Sequence, residues 1–126
     1  MKEIIYTKDA PEPIGPYSQA VRVHGHMIFT SGQIAIDPKT GNLNGGYIKE
    51  QTRQVLENLK NVLIAGGSDI SKVIKTTVFL KNIEDFAEMN AVYTEFFGGS
   101  KPARSTVEAV ALPKDALVEI DAIAYI

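Results

Sequence analysis

Leu117-Val118-Glu119-Ile120-Asp121-Ala122-Ile123-Ala124-Tyr125-Ile126 decides the fold, because the two faces of this strand differ in kind. Side chains along a strand point alternately to opposite faces, so Val118, Ile120, Ala122, Ala124 and Ile126 form one wholly apolar side, suited to a layer of helices. The other side carries Leu117, Glu119, Asp121, Ile123 and Tyr125. That mixture is too apolar for plain solvent and too acidic for a monomer's core. Two readings remain open. The face is simply exposed, or sheets of several copies face one another, burying the apolar members and leaving the carboxylates at a crevice.

Working outward, Ala103 to Val110 and the β-branched run Val73 to Leu80 read as further strands. Residues 2 to 7 and 20 to 36 supply the others. The second of these breaks at His24-Gly25-His26 into Ala20–Val23 and Met27–Thr30, which predicts a hairpin. From about Ile48 the period changes to that of a helix, with Val55, Leu56, Leu59, Val62 and Leu63 on one stripe and Gly66-Gly67 as the stop. Asn82, with Asp85 three places on, predicts the cap of a second helix. Its buried stripe is Phe86, Met89, Tyr93 and Phe97, and Gly98-Gly99 ends it. The expected fold class is α+β: a sandwich with a sheet of about six strands and both helices on one face, formed by residues 1–126 as a single domain.

The chain has 126 residues, with 13 basic against 15 acidic, a net charge of −2 and a pI near 5.7. No global attraction to a phosphate backbone follows, and no basic run compensates locally, so a nucleic-acid partner is not expected. No apolar run approaches the roughly 20 residues that span a bilayer, and Met1-Lys2-Glu3-Ile4-Ile5-Tyr6 lacks the apolar stretch and small-residue cleavage site expected of a signal peptide. The expectation is a cytoplasmic protein with no membrane partner. The absence of cysteine removes disulfides, thiolate catalysis and cysteine-type zinc sites. His24 and His26 lie in a turn, and no metal is expected there.

The chain contains no nucleophile elbow, phosphate-binding glycine loop or dinucleotide fingerprint. Candidate chemistry therefore rests on polar residues set in strands or at strand ends: Tyr17, Ser31, Asn90, Arg104, Thr106 and Glu119. Arg104 follows Pro102-Ala103 and enters a β-branched strand, where a guanidinium drawn from water needs an anion. A salt bridge to Glu119 or Glu108 would satisfy it, as would the carboxylate of a ligand. Gly15-Pro16 makes a rigid entry that can aim the Tyr17 ring at a pocket. Gly32, after Ser31, either lets the backbone approach a ligand or marks a bulge. Asn90 lies on the apolar stripe of the second helix, where an amide pins backbone or meets substrate.

Taken together, Gly15-Pro16-Tyr17-Ser18-Gln19-Ala20, Thr30-Ser31-Gly32-Gln33-Ile34, Asp37-Pro38-Lys39-Thr40-Gly41, Lys75-Thr76-Thr77-Val78-Phe79, Pro102-Ala103-Arg104-Ser105 and Val118-Glu119-Ile120 resemble the Rid (YjgF/RidA) family in order and spacing along most of the chain. The resemblance implies a chorismate-mutase-like fold with a mixed sheet, and a homotrimer whose sheets face a central barrel with clefts between subunits. It implies hydrolytic deamination of 2-iminopropanoate and 2-iminobutanoate to 2-oxo acids and ammonia, without a cofactor. In that reading Arg104 binds the substrate carboxylate and Glu119 orients or activates water, while Tyr17, Ser31, Gly32, Asn90 and Thr106 line the pocket. Cysteine is common in the family where this chain has Thr106, so thiol-based behaviour is not expected here. Other activities carried by the resemblance are a translation-inhibitor or endoribonuclease role and a non-catalytic trimer that binds 2-oxo acids.

Overall fold

Periodic apolar residues form the two helices. In the computed structural model, which describes residues 2–10 and 12–126, α1 spans Ile48–Ala65 and buries Val55, Leu56, Leu59 and Leu63, with Ile48, Gln51 and Thr52. Val62, expected on the same stripe, is 41% exposed. The Glu50 carboxylate accepts from the Tyr47 N–H at 3.2 Å, satisfying a donor at the helix start. Gly67 ends the helix in the left-handed region at φ +87°, a conformation that favours glycine. α2 spans Phe86–Phe97 and buries Met89, Val92, Tyr93 and Phe97.

The expected Asn82 cap is not made. A short 3₁₀ turn, Ile83–Asp85, precedes α2, and the Asn82 side chain bonds no helix N–H. The Asp85 N–H that a capping side chain would take donates instead to the Asn82 backbone carbonyl at 3.0 Å, closing the 3₁₀ turn, and the Ile83 N–H before it donates to the Glu108 carboxylate at 2.9 Å.

The strands are β1 (Lys2–Ile5), β2 (Ala20–Val23), β3 (Met27–Phe29), β4 (Val73–Leu80), β5 (Ala103–Glu108) and β6 (Val118–Tyr125). A four-stranded sheet runs in the order β3-β6-β4-β5. β4 and β5 are parallel and the other neighbours antiparallel, so the sheet is mixed. The parallel step is bridged by α2, as a parallel pair needs a long crossover. The predicted hairpin between β2 and β3 does not form. β2 pairs with β1 in a separate ribbon, and β3 pairs with β6 through Met27↔Tyr125 and Phe29↔Ile123. Pairing with β6 lets Ile28 pack on the core, a gain that β2 could not offer it.

Val118, Ile120, Ala122 and Ala124 of β6 are buried, together with Val73, Val78 and Leu80 of β4, under both helices. Thr76, also buried on this side, has its hydroxyl 2.7 Å from that of Tyr93. Burial pushes the Tyr93 phenol up to about 12 from its ordinary 10.0. An unfolded chain releases this proton near pH 10 while the native protein keeps it. The contribution to stability is therefore complete below pH 10 and declines towards pH 12, by about 1.4 kcal/mol per pH unit. Tyr93→Phe leaves the Thr76 hydroxyl buried without a partner. It should cost about 1–3 kcal/mol at neutral pH and abolish that alkaline decline, both readable from urea melts at several pH values.

The other face of the sheet carries Lys75, Thr77, Phe79, Glu119, Asp121, Ile123 and Tyr125, continued by Met27, Phe29 and Val107 through the strand register. Phe29 is 68% exposed there.

Candidate active site

Arg104 is the second residue of β5, which begins at Ala103 directly after Pro102. The loop before β2 is tied to this point by Ser18, whose N–H donates to the Pro102 carbonyl at 3.1 Å and whose hydroxyl donates to the Lys101 carbonyl. The adjacent Tyr17 is held by its own tight turn, N–H to the Gly15 carbonyl at 2.8 Å, and by the Ile14 N–H donating to its hydroxyl at 3.1 Å. The result puts the Tyr17 ring 5.3 Å from the Arg104 guanidinium carbon. From α2, Phe86 approaches to 5.4 Å and Tyr93 to 4.7 Å. Aromatic faces attract a cation when water is partly excluded. Arg104 thus sits in a cage of three rings.

Its polar contact within the protein is Nη1 donating to Asn90 Oδ1 at 2.6 Å. Among the described residues it makes no ion pair. Glu108 is turned to Ile83, and Glu119 lies elsewhere, so neither supplies the salt bridge that the sequence left open. Desolvation lowers the guanidinium pKa, countered by the two tyrosines, and a guanidinium remains a cation regardless. Arg104, Tyr17, Phe86, Thr106 and Ile14 line a cleft of about 220 Å³. The Thr106 hydroxyl is buried and makes no hydrogen bond, leaving donor and acceptor capacity beside the cation.

Glu119 belongs to a second group. Thr30 is anchored to Ala122 by its N–H at 2.9 Å and by its hydroxyl, which accepts from the Ala122 N–H at 3.0 Å. Gln33 exchanges two bonds with Ile120, at 2.9 and 3.1 Å. One more residue lies between these anchors on this segment than on β6, so Ser31-Gly32 forms a bulge. It lies against Glu119: a methyl on Gly32 would fall 2.1 Å from the Glu119 carboxylate. The bulge reading of Gly32 is the one this geometry supports, and the close neighbour is the Glu119 side chain.

The two groups face opposite sides of the sheet. Arg104 pairs with the buried Thr76 and points towards α2, whereas Glu119 pairs with Phe79 on the uncovered face, one strand further away. The chain therefore gathers Tyr17, Asn90, Arg104 and Thr106 in one place, and separately Ser31, Gly32 and Glu119. Phe86 and Tyr93 were read only as core. The signal that singles them out is their spacing with Asn90, since positions 86, 90 and 93 share one helix face. Among the described residues no group of three or more histidine, aspartate or glutamate side chains could hold a metal ion, and no helix is long and apolar enough to cross a membrane.

Fold and site together define a class: a two-layer α+β protein with an aromatic-walled arginine cleft at a sheet edge. The family model described as endoribonuclease L-PSP matches residues 7–126. The chain is 61% identical to a RutC family protein of Pyrococcus horikoshii, covering 99% of this chain and 98% of that one. The crystal structure of RidA from an Antarctic Psychrobacter superposes with a TM-score of 0.77 at 42% identity, covering 98% of this chain and 99% of the other. Escherichia coli TdcF with bound serine gives 0.75 at 43% identity, covering 98% of each. The chain belongs to the Rid (YjgF/RidA) family.

Proposed function

We propose that this protein is a cytoplasmic homotrimeric deaminase that hydrolyses 2-imino acids such as 2-iminopropanoate and 2-iminobutanoate to 2-oxo acids and ammonia. The observation that carries this reading is Arg104, a partly desolvated cation with one protein acceptor and no carboxylate, opening on a cleft sized for a small ligand. A guanidinium in that state favours a bidentate carboxylate. The bound serine of TdcF is an α-carboxylate ligand of the same size class, which supports the assignment.

The chemistry asks little more. With the substrate carboxylate on Arg104, the protonated imine carbon is already electrophilic and needs one placed water. Glu119 takes a proton as that water adds and returns it to the nitrogen; as ammonia then leaves, Glu119 takes the proton of the adduct's hydroxyl, giving the carbonyl, and passes it to the released ammonia as ammonium. Since Arg104 and Glu119 point to opposite faces of one sheet, the Glu119 that serves a given Arg104 belongs to a neighbouring subunit. No cofactor enters this scheme.

The test generates imino acids in situ with an amino-acid oxidase and traps them with semicarbazide. Purified protein should lower semicarbazone yield in proportion to its concentration, and an unchanged yield rejects the proposal. Binding of pyruvate without turnover would instead mark a non-catalytic 2-oxo acid trimer. The family model's description favours one other activity, RNA cleavage. Cleavage that copurifies with the trimer through repeated chromatography and survives loss of Arg104 would establish it.

Gly32→Ala probes the carboxylate. The new methyl meets the flexible end of Glu119 rather than backbone, so the fold should lose no more than about 0.5 kcal/mol. The displaced carboxylate should nevertheless lower kcat by roughly tenfold or more with KM little changed, because it acts on water and not on substrate binding. Steady-state kinetics beside a urea melt separates the two effects.

A further inference from the structure

Lys2 resembles Arg104 in being a partly buried cation with no ion pair among the described residues. Lys2, at the start of β1, extends its ammonium to three backbone carbonyls, Ser100 at 3.1 Å, Ser71 at 3.4 Å and Val73 at 3.5 Å. Two of these contacts are at the outer limit of a hydrogen bond. Among the described residues no carboxylate pairs with Lys2. Asp69, in the adjoining turn, is engaged by the Ser71 N–H at 2.7 Å and by the Ser71 hydroxyl. Partial burial lowers the ammonium's pKa, as expected where no anion offsets lost hydration.

The ammonium borders a cleft of about 550 Å³, walled by Ile4, Ile70 and Phe96 and floored by Gly99 and Ser100. The Ser100 hydroxyl is buried without a hydrogen-bond partner. An apolar cleft with a few convergent polar groups is the usual form of a small-molecule site. This one shares no lining residue with the Arg104 cleft.

We propose that this cleft is a second binding site, and that it takes a monocarboxylate with an apolar body. The carboxylate sits between Lys2 Nζ and the Ser100 hydroxyl, and the body lies against Ile4, Ile70 and Phe96. The ligand supplies what the protein withholds: an anion for a partly desolvated cation, an acceptor for an idle hydroxyl, and cover for exposed Ile4.

Titration of the ¹⁵N-labelled protein with hydrocinnamate tests this. Saturable shifts are expected at the amides of Ser71, Gly99 and Ser100. Lys2→Met, which keeps the apolar stem, should weaken binding about tenfold or more, and Ser100→Ala several-fold. Hydrocinnamamide, which lacks the charge, should also bind about tenfold more weakly. Arg104→Ala should leave these shifts in place. Absent or unsaturable shifts, shifts confined to the Tyr17 and Arg104 cleft, or equal affinity in Lys2→Met with a native amide spectrum would each overturn the proposal. In the last case Lys2 only ties β1 to its neighbours.

Discussion

Arg104→Ala should lower kcat/KM for imino acid hydrolysis by roughly tenfold to a hundredfold, because a charge-assisted carboxylate contact contributes about 1.5–3 kcal/mol. A larger loss would mean that the arginine also sets the reacting geometry. The fold should tolerate the change. It removes a partly buried cation that has no ionic partner among the described residues and leaves Asn90, half-buried, as the polar group to rehydrate. Arg104→Lys makes the test sharper. A lysine keeps the charge but cannot offer the planar pair of donors or stack on Tyr17, Phe86 and Tyr93 in the same way. It should therefore recover only part of the loss, mainly through KM. A semicarbazone assay that finds the alanine variant as active as wild type would remove Arg104 from the reaction, and with it the proposed carboxylate grip.

The second large effect is expected at Phe29, which takes no part in the proposed chemistry. Its ring is 68% exposed on a sheet face shared with Ile123 through the β3 and β6 register. If that face lines the centre of a trimer, Phe29→Asp places three uncompensated carboxylates in one interface, at a cost of several kcal/mol per charge. Sedimentation should then show the 13.7 kDa chain as a monomer, where wild type shows three times that mass. Activity should disappear with the trimer, because one protomer holds Arg104 and Glu119 on opposite faces of its sheet. Wild type that sediments as a monomer would end the trimer proposal, and a trimeric, active Phe29→Asp would place the interface elsewhere.

Much of this protein was legible in its residues. The alternation in β6 predicts an apolar side under helices, and the structure buries Val118, Ile120, Ala122 and Ala124 there, while Ile126, expected on the same side, lies beyond the strand and is 54% exposed. The helical stripes place α1 and α2 well, and Arg104 stands out as a cation in want of an anion. Other features were not legible. The β2–β3 hairpin reads plausibly across Gly25, yet each strand has a different partner. Asn82 reads as a cap, yet its backbone carbonyl rather than its side chain takes the Asp85 N–H. Phe86 and Tyr93 read as core and turn out to wall the arginine.

The division has a physical cause. Periods of two and of 3.6 are set by the geometry of neighbouring residues, so the sequence alone determines which side chains share a face and that this chain builds an α+β sandwich. Which edge a strand pairs with depends on the core it completes. Which rings surround a cation depends on how α2 crosses β5. Only the tertiary structure decides these, and only it shows that Arg104 and Glu119 look out from opposite sides of one sheet.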